Sequence, residues 1–135
     1  MTAMEPSEVR TGTILVVDDQ TTMTDLIRRW LESDGHRVIL AESGEAALEA
    51  VRTQELDLVL LDIMIPTPSG FEVCRQIKRD PATRHIPVLL MSGLQDPVNW
   101  KRGRELGAAD FLAKPLQRDD VRARVRHCLA HSKKL

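Results

Sequence analysis

Short apolar segments alternate with longer amphipathic segments along most of the chain. The apolar segments occupy residues 14–17, 38–41, 58–61, 88–91 and 110–113. Three of them, ILVV, LVLL and VLLM, are apolar without alternation, which is typical of strands buried on both faces of a parallel sheet. The pattern therefore predicts five strands in a sheet whose two faces are both covered.

The segments between the predicted strands have the spacing of amphipathic helices. In the first, apolar residues recur at intervals of three and four between Met23 and Leu31. In the fifth, the same spacing runs from Val121 to Leu129. Capping residues and terminating glycines mark the ends of the helices, and they are Ser43, Ser69, Asp96, Gly35 and Gly107.

Five successive strand–helix units predict an α/β fold with a (βα)5 arrangement. Each crossover between parallel strands is expected to be right-handed, so the sheet is open and helices cover both of its faces. Residues 1–12 are polar and lack periodicity, which indicates a disordered leader. The folded domain is predicted to span residues 13–131, followed by a short tail or the start of a linker at 132–135.

Composition excludes several classes of protein. The 135 residues, 15.2 kDa, correspond to one domain, and 19 Lys and Arg against 20 Asp and Glu give a net charge of −1. This balance does not favour nucleic acid or an anionic membrane as partner, and no apolar run approaches the roughly 20 residues of a membrane span. Cys74 and Cys128 form no metal or redox motif, so we expect two reduced, buried thiols in a cytoplasmic protein.

Polar residues follow four of the five predicted strands. They are Asp18 and Asp19 after the first, Asp62 after the third, Ser92 after the fourth and Lys114 after the fifth. In a parallel sheet, these carboxyl ends lie at one edge, where ligands bind. Three carboxylates in one cleft repel each other unless a cation lies between them, and hard oxygen ligands favour Mg²⁺. A metal, an ammonium and a hydroxyl around an aspartate are the groups that phosphoryl transfer requires.

Four segments, ILVVDDQ, LLDIMIPTPSG, VLLMSG and GAADFLAKP, resemble the signature segments of the response-regulator receiver domain, the CheY-like domain of two-component signalling. The resemblance covers about residues 12–130. It implies a flavodoxin-like sheet with the strand order 2-1-3-4-5. It also implies a signalling domain that catalyses only its own phosphorylation and dephosphorylation, with a histidine kinase or phosphotransfer protein as donor.

The resemblance assigns a role to each residue of the site. Asp62 matches the phosphoacceptor, Ser92 the switch hydroxyl, and Lys114 the lysine that contacts the phosphoryl group. Asp19 and Asp62 match metal ligands, together with the backbone carbonyl of Met64, while Asp18 matches an acid that acts through water. The expected ion is Mg²⁺, or Mn²⁺ in its place. The remaining matches are a switch aromatic, Phe111, and a cis peptide at Lys114–Pro115.

Two apolar residues depart from the polar residues that some relatives carry beside the acceptor. They are Met64 and Leu94, and neither side chain can hold a water in line behind the phosphorus. This difference predicts a long-lived phosphorylated state. Ile65 and Ser69 also differ from frequent residues of the family, but both changes are conservative.

Other functions fit the sequence less well. A phosphatase of the haloacid-dehalogenase type needs a second Asp two residues after its nucleophile. Met64 follows Asp62 at this spacing and Gln20 follows Asp18, so neither aspartate has the required partner. A dinucleotide-binding domain needs a glycine-rich turn where this chain has Asp18 and Asp19. A phosphorylation-independent interaction module would not require three clustered acids.

The last predicted helix carries an excess of basic residues. Nucleic-acid contact would explain the excess, but the segment resembles no helix-turn-helix and has no aromatic residues for base stacking. A solvated helix face is the simpler interpretation. The segment also resembles the last helix of regulators that continue into an output domain, so both a free-standing domain and a domain from a longer regulator are compatible with it. Activation is expected to alter the face formed by the fourth helix, fifth strand and fifth helix, where a second copy or an output domain could bind.

Overall fold

The structure is a computed structural model, and it describes residues 11–93 and 97–131. Strands and helices alternate along these residues. The elements are β1 (Thr13–Val17), α1 (Thr21–Glu32), β2 (Arg37–Ala41), α2 (Gly44–Thr53), β3 (Leu58–Asp62), α3 (Gly70–Arg79), β4 (Val88–Ser92), α4 (Pro97–Glu105), β5 (Asp110–Ala113) and α5 (Arg118–Ala130). All five predicted strands are present. Several predicted features lie outside the described residues, and they are most of the leader, the tail, Leu94 and the cap Asp96.

The five strands form one parallel sheet in the order β2-β1-β3-β4-β5, which confirms the predicted fold. Val17 of β1 pairs with Ala41 of β2 on one side and with Leu61 of β3 on the other. β2 thus lies on one side of β1, and β3, β4 and β5 follow in order on its other side. The carboxyl ends of β1 and β3 therefore meet at the switch point, where such sheets bind ligands.

Residues of the central strands alternate between two hydrophobic clusters. Leu15 and Val17 belong to the cluster that includes residues of α2 and α3, whereas Ile14 and Val16 belong to the cluster that includes residues of α1 and α5. Every residue of β3 and β4 is buried, as continuous apolar strands predict. Cys74 and Cys128 are free and buried, one in each cluster, and burial raises the pKa of each thiol to about 11.

Predicted caps and glycines terminate several helices. The Ser43 hydroxyl accepts a hydrogen bond from the Ala46 N–H (3.1 Å), and Ser69 serves α3 in the same way. Gly35 and Gly107 follow α1 and α4 with φ angles of 93° and 101°, a backbone region that other residues rarely adopt.

The basic residues of α5 are not uniformly solvated, contrary to the simpler interpretation of this helix. Arg122 forms two hydrogen bonds to the carboxylate of Asp34 after α1 (2.8 and 2.7 Å), and Arg124 contacts Asp110 of β5 (3.0 Å). Part of the positive charge therefore holds α5 against its neighbours. No helix in the described ranges has the length and apolar character needed to cross a lipid bilayer.

His36 is buried directly before β2, where its Nδ1 accepts a hydrogen bond from the Gly12 N–H (3.2 Å). Burial lowers the pKa of His36. The neighbouring Asp34 opposes this shift, while Arg126 reinforces it. The fold thus favours the neutral imidazole at this position.

Candidate functional site

Four strands place polar residues at the carboxyl edge of the sheet. Asp18 directly follows β1, Asp62 and Ser92 are the last residues of β3 and β4, and Lys114 directly follows β5. Asp18, Asp62 and Ser92 are buried, with 0%, 3% and 2% exposure. The sheet brings these predicted site residues together at one edge.

Lys114 links the two buried carboxylates. Its Nζ donates hydrogen bonds to Oδ2 of Asp62 (2.8 Å) and to Oδ2 of Asp18 (3.1 Å). These residues are 52 and 96 positions away along the chain, so only the fold places them beside the lysine. One ammonium group therefore neutralises part of the charge of two buried carboxylates.

Backbone N–H groups bind the other oxygen of each buried carboxylate. Oδ1 of Asp62 accepts from the Met64 N–H (2.9 Å), and Oδ1 of Asp18 accepts from the Gln20 N–H (3.0 Å). In both cases the donor lies two residues after the aspartate, which is a common local turn. Each carboxylate is thus oriented by its own backbone on one side and by Lys114 on the other.

Asp19 adds a third carboxylate, which is exposed. One oxygen each from Asp18, Asp19 and Asp62 lies within 4.8 Å of the others, so the three can share one cation. Carboxylate oxygens are hard ligands, and three of them with an open side suit a small divalent ion that keeps water in its shell. The donor set therefore fits Mg²⁺.

The electrostatics of the site depend on burial and on the carboxylate–lysine pairs. Burial raises the pKa of Asp62, the Asp18 charge adds to the increase, and the hydrogen bonds from Lys114 and Met64 only partly oppose it. Burial also acts against the charged form of Lys114, but its hydrogen bonds to Asp62 and Asp18 raise its pKa overall. Lys114 is therefore charged at neutral pH, and it brings one positive charge to a site that contains three carboxyl groups.

Ser92 and the turn after β5 complete the edge. The Ser92 carbonyl accepts a hydrogen bond from the Lys114 N–H (2.8 Å), which fixes the start of this turn relative to β4. The Lys114–Pro115 peptide bond is cis, as the resemblance implies. Beside Asp62, the Met64 side chain is 64% exposed, so it points away from the protein interior.

Phe111 is already buried, with 6% exposure, and it packs under Trp100 of α4. The two rings are parallel within 3°, with centroids 5.2 Å apart. A Cβ atom at Gly103 would lie 2.7 Å from the Phe111 ring, so this glycine makes the packing possible. Trp100 and Gly103 were not predicted from the sequence, although a glycine inside a helix, three residues after a tryptophan, is a recognisable signal for close packing.

Gly70 is a third residue whose role was not predicted from the sequence. A Cβ atom there would lie 2.3 Å from the Asp62 carbonyl oxygen and 2.7 Å from Cα of Ile63. The Gly70 N–H donates to the Ile63 carbonyl (3.1 Å). Only glycine lets the start of α3 approach the end of β3 this closely, next to the predicted acceptor.

The chain matches a known protein family over most of its length. Residues 14–126 match the family described as the response regulator receiver domain. PhoP of Bacillus subtilis, a transcriptional regulatory protein of alkaline phosphatase synthesis, is 38% identical over 119 residues, which are 88% of this chain and 49% of PhoP. The response regulator PleD of Caulobacter vibrioides is 44% identical over 115 residues, which are 84% of this chain and 25% of PleD. The chain thus spans half or less of these relatives.

A solved structure agrees with the family match. The signal receiver domain of a signal transduction histidine kinase from Syntrophus aciditrophicus superimposes with a TM-score of 0.85 at 31% identity, over 92% of this chain and 94% of that domain. The sequence match, the strand order and the edge where the acidic residues lie are mutually consistent. The chain therefore belongs to the family of response regulator receiver domains of two-component signalling.

Proposed function

We propose that Asp62 accepts a phosphoryl group from the phosphohistidine of a histidine kinase or phosphotransfer protein. The observation that carries this proposal is the arrangement of Asp62 between Lys114 and two further carboxylates, in a buried site at the switch point of the sheet. In the transfer, a carboxylate oxygen of Asp62 bonds to phosphorus as the phosphorus–nitrogen bond of the donor breaks. Each oxygen of Asp62 is held in place beforehand, which reduces the entropic cost of the transfer.

Asp18, Asp19 and Asp62 would hold Mg²⁺, or Mn²⁺ in its place, together with the backbone carbonyl of Met64. We assign direct contact to Asp19 and Asp62 and contact through water to Asp18. When bound, the ion supplies positive charge that neutralises phosphoryl oxygens. Lys114 supplies a second positive charge, and the Ser92 hydroxyl donates to a phosphoryl oxygen after transfer.

Intact-mass measurement tests the acceptor. With Mg²⁺ and a small phosphodonor, the parent protein should gain one phosphoryl group, and Asp62→Asn should gain none. Asp25→Asn is the matched control, because this exposed acid lies on α1 in a surface pair with Arg28. Labelling of Asp62→Asn equal to that of the parent would contradict the proposal.

Calorimetry tests the metal ligands separately. We expect Asp19→Ala to weaken Mg²⁺ binding more than Asp18→Asn does, because only Asp19 is assigned direct contact. Parent-like Mg²⁺ affinity in Asp19→Ala would show that the metal site is wrongly assigned, even if Asp62 is the acceptor.

The output of this domain is a second part of the proposal. Ser92 and Phe111 form the switch, and phosphorylation shifts the face built from α4, β5 and α5 toward a state that binds a second copy or an output domain. The similarity to PhoP, a transcriptional regulatory protein, and to PleD, a response regulator, supports a regulatory role. We assign this role to the cytoplasm. Light scattering with and without a beryllofluoride mimic of the phosphoryl group tests dimerisation. A dimer that forms only with the mimic supports phosphorylation-dependent dimerisation. The same molecular mass with and without the mimic contradicts it.

A further inference from the structure

A cavity of about 490 Å³ lies at the amino-terminal edge of the sheet, opposite the edge that carries the carboxylates. Its walls come from the segment before β4, the start of β5 and the end of α5. Three of its lining residues are histidines, and they are His85, His127 and His131. This concentration of imidazole groups in one cavity has no role in the proposed phosphoryl transfer.

His127 lies in the last turn of α5 and His131 directly follows the helix, four residues later, and their rings contact each other. Their ring centroids are 4.2 Å apart, with an angle of 34° between the rings. Two histidines at this helical spacing are the arrangement with which zinc enzymes hold their ion from one helix. The pair is therefore a suitable chelating unit.

One contact defines which nitrogen of His131 is available. Nδ1 of His131 lies 2.9 Å from the carbonyl oxygen of His127. A carbonyl oxygen can only accept, so the hydrogen is on Nδ1, and Nε2 of the neutral ring keeps its lone pair. Metal-binding histidines usually donate their other ring N–H to a carbonyl or carboxylate in this way.

The remaining polar residues of the cavity are less suitable ligands. Burial raises the pKa of Cys128 to about 11, so its thiol is protonated in the free protein. Asp110 accepts from the Phe111 N–H (2.8 Å) and pairs with Arg124 (3.0 Å). The available donors are thus imidazole nitrogens, which favour zinc, nickel or copper over magnesium.

We propose that His85, His127 and His131 form a binding site for a transition-metal dication, with Zn²⁺ as the representative ion. Among the described residues, the acidic cluster is the one set of three such ligands whose donor atoms already lie within 4.8 Å of one another. The donor atoms of the three histidines do not converge in this way in the structure, and all three side chains are exposed, so our proposal requires His85 to turn toward the pair when the ion binds. The bound ion connects α5 to the segment before β4.

Calorimetric titration with Zn²⁺ in excess Mg²⁺ tests the site, because Mg²⁺ competes at the carboxylates but not at imidazoles. The parent should bind one Zn²⁺ per chain. His85→Gln, His127→Gln and His131→Gln should each lower the affinity at least about tenfold. Asp19→Asn is the control, and it should keep the parent affinity for Zn²⁺.

Histidine ring nitrogen NMR on the parent gives a second readout that needs no variant. Zn²⁺ should shift the signals of His85, His127 and His131 while the buried His36 keeps its position. A parent-like affinity in any one variant would remove that histidine from the ligand set. No binding in excess Mg²⁺, loss of binding in Asp19→Asn, or unchanged ring signals would overturn the site.

Discussion

Replacement of Lys114 by methionine tests the electrostatic account of the acidic site. Methionine keeps an unbranched apolar stem but removes the ammonium group that links Asp18 and Asp62. Two hydrogen bonds are lost, of 2.8 and 3.1 Å, and both acceptors are carboxylates with at most 3% exposure. We expect the domain to lose stability in the absence of divalent ions.

The size of the loss follows from burial. Removing one partner of a buried ion pair typically costs 3–5 kcal/mol, because the other charge is left uncompensated. Lys114 itself retains 20% of its side-chain exposure, so part of the pair's charge is screened by water. The lower end of the range, about 3 kcal/mol, is therefore the expected loss.

Urea denaturation at neutral pH in EDTA measures this loss. For a slope of about 2 kcal/mol per M, the midpoint should fall by about 1.5 M. The pKa of Asp62 is raised in the folded state, so its charge disfavours folding at neutral pH, and this penalty disappears as pH falls below the unfolded value. The loss in Lys114→Met should thus shrink toward acidic pH.

Two further variants separate this explanation from a general packing defect. Lys101→Met removes an exposed lysine of α4 and should change stability by less than about 0.5 kcal/mol. Asp62→Asn should restore more stability in the Lys114→Met background than it adds to the parent, because it removes a charge that has lost its partner. A Lys114→Met loss below about 1 kcal/mol, or equal effects of Asp62→Asn in both backgrounds, would refute the reasoning.

Three other predictions concern residues around the fold and the site. Gly70→Ala should destabilise the domain by about 2–3 kcal/mol in urea denaturation. The loss should exceed that of Gly103→Ala, because the new Cβ at position 70 meets backbone atoms, whereas the one at position 103 meets the ends of side chains. A larger loss in Gly103→Ala would contradict this. The lowered pKa of His36 means that the unfolded chain binds a proton more readily at this residue. The contribution of His36 to stability should therefore fall as pH drops below about 6.5, by at most about 1.4 kcal/mol per pH unit. A His36→Gln variant should lack this component, and an identical pH profile would rule it out. Met64 and Leu94 cannot position a water by hydrogen bonding, so a Met64→Asn/Leu94→Glu variant should release phosphate faster than the parent in a phosphate-release assay, and an equal rate would show that water positioning is not limiting.

Local signals in the sequence predict the elements of this fold well. The apolar runs of β3 and β4 are buried at every position, and Ser43 and Ser69 cap the helices that they were predicted to cap. These features depend only on residues within one turn or one strand, so they can be predicted from the local sequence pattern. The strand order depends on contacts between distant segments, and it was predicted from the resemblance to receiver domains.

Contacts between distant segments account for what the sequence analysis did not predict. The pairing of one lysine with both buried carboxylates and the close approach of Gly70 to β3 appear only when the strands are assembled. The stacking of Trp100 on Phe111 likewise joins α4 to β5. The same limit applies to α5, where the sequence pattern predicts a solvent-exposed Arg122 but the side chain binds Asp34 in the turn after α1.

Mapping the phosphorylated residue tests the central claim most directly. The parent protein is phosphorylated with a small donor and Mg²⁺ and then reduced with borohydride, which converts an aspartyl phosphate to homoserine. Peptide mass mapping then identifies the position of the homoserine. Asp62 as the sole converted residue is the predicted result, and conversion of Asp18 or Asp19 with Asp62 unchanged would contradict the account.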